Sequence, residues 1–282
     1  MSDFLFTADS ISFAVFLAML GGFYLAGFFK AQVFNQAPDR SGVVKGTHLL
    51  MAAGLMVPQI WVMTGFAPKS VVTGYAGFIA SVCWPAALFF WMWLGLQSPD
   101  NAVRLGLRGC GNARSARVGL WGIPIGLIMV CGVGFVGTGL WILWGKEEPT
   151  VGHEVFKNMQ EHPHDVGNMA AQGVSAILVA PFFEEAMFRG LLLTGLQSVL
   201  SRGRATSSRI RWVAVIVVGI LFGAVHLGAA STPMLPALAA FGILLGWAYE
   251  YTGCFWVPVA IHMGFNAVSF AAGVWQIRAS VQ

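Results

Sequence analysis

Apolar residues occupy long blocks of this chain, with short polar segments between them. The blocks cover Ser10–Phe29, Gly46–Pro68, Ser70–Pro99, Val118–Gly145, Val166–Ser201, Trp212–Tyr249 and Tyr251–Ile277. A helix needs roughly 20 apolar residues to cross ~30 Å of hydrocarbon, so each block predicts at least one span. Trp212–Tyr249 is too long for one. It predicts a break at Gly228–Pro236, where GAASTPMLP supplies turn residues and two prolines. The pattern predicts an all-α, polytopic membrane protein with about eight transmembrane helices.

Composition supports that class and excludes others. Of 282 residues, 57% are hydrophobic and 10% charged, against about 25% charged in a soluble chain. So few charges cannot coat a soluble core, and a disordered or collagen-like chain is excluded with it. The N-terminus, MSDFLFTADS, is acidic, so the first block reads as a retained span rather than a signal peptide. Cys83, Cys110, Cys131 and Cys254 show no CxxC and no pairing pattern, which predicts neither a disulfide frame nor a zinc knuckle.

The net charge of +4 reflects topology rather than a nucleic-acid partner. The segments Lys30–Lys45, Asp100–Arg117 and Arg202–Arg211 carry +2, +3 and +4, while Lys146–Asp165 carries −3. With eight spans the three basic loops share one side, expected to be cytoplasmic, and the acidic loop lies opposite. His153, His162 and His164 in that acidic loop read as surface residues, and His48 as unremarkable.

Charge inside a span costs about 2.5–3.5 kcal/mol per residue on insertion scales. One segment is expected to tolerate it: Glu184-Glu185-Ala-Met-Phe-Arg189. Glu185 and Arg189 stand i,i+4 and can pair, while Glu184 points about 100° away and is left for another task. A buried structural network is the bland alternative. His226 follows Phe222 by four residues in the block Trp212–Tyr249, and His262 precedes Asn266 by four in the last one. Either histidine alone reads as a hydrogen-bonding core residue. Together, a carboxylate, two imidazoles and an amide supply a base, its partner and oxyanion donors for hydrolysing an amide with activated water. A straight-helix estimate puts Glu184 about 26 Å along its helix and His226 about 21 Å along its own, from opposite faces, so their depths do not coincide.

Glu-Glu-x-x-x-Arg, Phe-x-x-x-His and His-x-x-x-Asn, in this order, resemble the three motifs of the CPBP (CAAX protease and bacteriocin-processing, Abi) family. The stretch from Gly242 through Gly246 and Thr252-Gly253 to Pro258 is also similar. The resemblance spans about Gly167 to Phe270 and takes in the Ras-converting CAAX prenyl protease, an eight-span intramembrane glutamate endopeptidase. It implies that Glu184 and His226 activate water, that His262 and Asn266 hold the oxyanion, and that Glu185, Arg189 and Phe222 support them. It divides the chain into residues 1–165, four transmembrane helices plus the acidic outer loop with no recognised signature, and 166–282, a catalytic helical core.

The expected function is therefore an intramembrane endopeptidase acting on a peptide or membrane-protein substrate within the lipid bilayer. For a bacterial chain that is the cytoplasmic (inner) membrane, and a prenylated substrate is not expected there. No cofactor and no metal ligand is expected. Glu and two His also form a zinc ligand set, but HExxH spacing is missing and the resemblance favours a metal-free site. The competing classes are a proton-coupled transporter, for which no internal repeat is found, and a non-catalytic membrane scaffold of the same family.

Overall fold

A computed structural model describes residues 2–35, 37–63, 84–147, 156, 159–160, 165–202 and 204–281. His153, His162 and His164, and the start of the expected Ser70–Pro99 span, lie outside the described residues. Those residues form helices α1 (Ser2–Leu25), α2 (Gly46–Met63), α3 (Trp84–Leu96), α4 (Pro99–Arg104) and α5 (Ala113–Leu143). Then follow α6 (residues 166–201), α7 (Ser208–Ala224), α8 (Leu235–Thr252) and α9 (Trp256–Val281). Side-chain caps mark several starts: Asn112 Oδ1 accepts from Ser115 N at 2.8 Å, and Asp165 Oδ1 from Asn168 N at 2.8 Å. Helix α8 stops at Gly253, whose φ of 68° suits a left-handed C-cap.

Among the described residues, three helical stretches are long and apolar enough to cross a membrane: Ala113–Leu143, Thr232–Thr252 and Trp256–Ala279. The expected eight is not reached among the described residues. Helix α7 has 17 residues, at the short end of what a crossing takes, and the third block is described only from Trp84. In α6 the buried charges interrupt the apolar run. The expected break in Trp212–Tyr249 falls between α7 and α8, with one 3₁₀ turn at Thr232–Met234.

Helix α8 packs against α5, α7 and α9. At its crossing with α7, a Cβ on Gly219 would stand 2.7 Å from Ile243 N, and one on Gly242 would stand 2.9 Å from Gly219 O. Glycines thus let the two backbones touch, as small residues do where membrane helices pack. The buried core includes Trp91, Phe188, Phe222, Phe241 and Phe255.

The three basic loops gather on one side. Arg104 donates to Asp39 O at 2.6 Å and to Ser41 O at 2.8 Å, and Thr206 Oγ1 donates to Asp39 Oδ1 at 3.3 Å. Under them lies a charge cluster that corrects the expectation of one charged segment. Glu250, fully buried near the end of α8, accepts from Arg40 at 2.6 Å and from Arg211. Arg211 also donates to Pro38 O at 3.0 Å. One carboxylate between two guanidiniums offsets the desolvation that either arginine alone would suffer.

A second correction concerns the cysteines. Cys110 and Cys254 form a disulfide across 144 residues of sequence. No local spacing could announce it, because the fold alone brings the loop after α4 to the start of α9, where Phe255 N donates to Gly106 O at 3.0 Å.

Candidate active site

Helix α6 carries both glutamates at the midpoint of residues 166–201, and its winding is irregular on either side. Ser175–Val179 and Ala186–Leu193 are π-helical, and such turns are frequent at functional sites. In the first, Ala180 N bonds Ser175 O. The donor that this register would give Ala176 O is the nitrogen of Pro181, which carries no hydrogen. Ala176 O accepts instead from Asn266 Nδ2 at 2.7 Å. The local defect in α6 is thereby what fixes Asn266 of α9.

Glu185 and Arg189 are fully buried and pair at 3.0 Å, the i,i+4 contact the sequence allows. Arg189 Nη2 also donates to Gly242 O of α8 at 2.9 Å. Its guanidinium lies 4.9 Å from the centre of the Phe222 ring. Glu185 has a further partner that helical spacing did not reveal: His262 Nδ1 donates to the same Oε1 at 2.9 Å. A carboxylate only accepts, so Nδ1 carries the proton. His262 Nε2 lies 3.9 Å from Glu184 Oε2, and that oxygen accepts no hydrogen bond from the described residues.

His226 sits two residues past the end of α7, where the chain turns. Its Nδ1 lies 2.7 Å from Phe222 O. The carbonyl can only accept, so in the neutral ring Nε2 keeps the lone pair. Phe222 packs between the two histidines, its ring centre 4.9 Å from that of His226 and 5.7 Å from that of His262. Phe241, which the motifs do not include, lies 5.5 Å from His262.

Glu184, His226, His262, Asn266 and Phe222 all line one cavity of about 440 Å³, whose other walls include Gln172, Ser175, Phe265 and Phe270. Glu185 and Arg189 stand behind the wall. The depth conflict of straight helices is thereby resolved: Glu184 lies mid-helix in an α6 longer than the bilayer requires, and His226 lies beyond the end of α7. Among the described residues, no three His, Cys, Asp or Glu side chains are grouped to hold a metal ion.

Fold and site together define a helical membrane protein with a largely apolar cavity into whose wall carboxylate, imidazole and amide groups are set. Residues 167–268 match the family model described as Rce1-like, type II CAAX prenyl endopeptidase. This is the family that the three motifs resemble, and it indicates a protease. The apolar helices and the match support an integral membrane protein. No curated protein and no solved structure matches the chain.

Proposed function

We propose that the protein is an intramembrane endopeptidase in which Glu184 and His226 activate the water that attacks a peptide carbonyl. One observation carries this reading: the four groups, brought from α6, the α7–α8 turn and α9, line one cavity. The water gives its proton to Glu184 as its oxygen bonds to the carbonyl carbon, and His226 Nε2 accepts a hydrogen bond that orients the attack. Asn266 and protonated His262 donate to the oxyanion of the tetrahedral intermediate. The intermediate collapses, the C–N bond breaks, and the proton taken up by Glu184 passes to the leaving amine. The products are a carboxylic acid and an amine. Glu185 and Arg189 act through His262 and α8 and touch no reacting atom.

The reaction as proposed uses no metal. The substrate is a peptide segment held at the membrane, which suits a cavity whose walls include Phe222, Phe241, Phe265 and Phe270. The test compares native membranes carrying the wild type with membranes carrying Glu184→Gln, by quantitative proteomics. Membrane-associated peptides that accumulate uncut in the variant are expected, and identical peptide profiles contradict the reading.

A further inference from the structure

A second cavity, of about 400 Å³, opens between α1, α5, α8 and α9 and shares no wall residue with the active-site cavity. Helix α9 separates the two: Ile261 lines this cavity, and the adjacent His262 lines the other. One wall is a ladder of aromatic rings. Phe23 stacks on Phe28 at 4.6 Å, Phe28 on Trp247 at 3.9 Å, and Trp247 on Tyr251 at 4.8 Å. The ladder ends in a cation, since the Arg114 guanidinium lies 5.3 Å over the Tyr251 ring. Arg117, one turn further along α5, lines the cavity beside it.

We infer that this cavity binds a glycerophospholipid with an anionic headgroup. Three observations select that occupant. An apolar aromatic wall with guanidiniums at one end matches an acyl chain joined to a phosphate, and neither a neutral lipid nor a free ion uses both. Trp121 and Trp247 both line the cavity near the guanidiniums, and such amphipathic rings gather where acyl chains meet headgroups. The arginines begin the apolar span Ala113–Leu143 on the side where the three basic loops gather, where a positively charged pocket between spans meets anionic headgroups.

The test is native mass spectrometry of the full chain released from micelles holding equal phosphatidylglycerol and phosphatidylcholine. Wild type is expected to retain one phosphatidylglycerol in preference to phosphatidylcholine. Each Arg→Gln change lowers that preference about fivefold, so Arg114→Gln with Arg117→Gln lowers it about 25-fold. Arg114→Lys with Arg117→Lys keeps most of it, which separates loss of charge from loss of fold. A wild type without preference, or a double glutamine variant that keeps it, overturns the inference. Displacement of the lipid by excess inorganic phosphate also overturns it, by showing a site for the bare anion.

Discussion

His262 Nδ1 bonds Glu185 Oε1 at 2.9 Å, and the same ring turns its Nε2 toward Glu184 Oε2 at 3.9 Å. One imidazole therefore joins the paired glutamates of α6 to α9. The glutamates differ in setting: Glu185 anchors one side of the ring, and Glu184 lines the cavity on the other. Such anchoring fixes the orientation and tautomer of the ring, as a buried carboxylate does for the histidine of a Ser-His-Asp triad.

Glu185→Ala is expected to strand Arg189, fully buried and left without its carboxylate. Breaking a buried pair in this way costs about 3–5 kcal/mol. Thermal unfolding of purified protein in detergent checks it. Glu185→Gln, which still offers His262 an acceptor, should retain more stability than Glu185→Ala.

Asn266→Ala should lower kcat by about 10²–10³ and leave KM nearly unchanged, the signature of a donor used mainly in the transition state. It also leaves Ala176 O without the donor now 2.7 Å away, so a stability loss of about 1–3 kcal/mol should accompany it. Steady-state kinetics and unfolding on the same preparation separate the two effects.

Reduction of Cys110–Cys254 should lower stability by about 2–4 kcal/mol, since the bond closes a very long loop. The charge of the basic loops predicts that this bond faces the cytoplasm, where thiols are kept reduced. Cys110 is therefore expected to react with an alkylating reagent in intact cells, more readily than the buried Cys254, and to resist it after oxidation of the purified protein. Mass spectrometry of the labelled peptides checks this.

Burial raises the pKa of the Asp39 carboxyl, but hydrogen bonds from Ser41 and Thr206 outweigh it and hold the value below the ordinary one. A depressed carboxylate stabilises the fold fully above its unfolded-state pKa, and that contribution disappears as pH falls through the folded one. Asp39→Asn should therefore weaken the protein at neutral pH and flatten its loss of stability on the acid side, read from unfolding midpoints across a pH series.

Much of this architecture is legible in the sequence, for identifiable reasons. Apolar blocks marked α5, α8 and α9 because hydrocarbon sets a length, and i,i+4 spacing gave Glu185–Arg189 because the helix repeat is fixed. What the sequence hid depends on distant partners. The bond of His262 to Glu185 joins residues 77 apart, and the Cys110–Cys254 link joins two loops with no shared motif. Glu250 looked like a boundary between two apolar blocks, yet it is buried between Arg40 and Arg211. Pro181 was visible, but the π turn that accompanies it, and the carbonyl it hands to Asn266, appear only in three dimensions.

The central claim is tested most directly by single-turnover cleavage of a membrane-embedded peptide by purified Glu184→Gln, His226→Ala and the double variant. Two groups acting on one water predict a loss of about 10²–10⁴ for each single change. They also predict a double variant scarcely worse than either single one, because the pair works as a unit. Wild-type rates in Glu184→Gln or in His226→Ala, or losses that simply multiply in the double variant, would contradict the account.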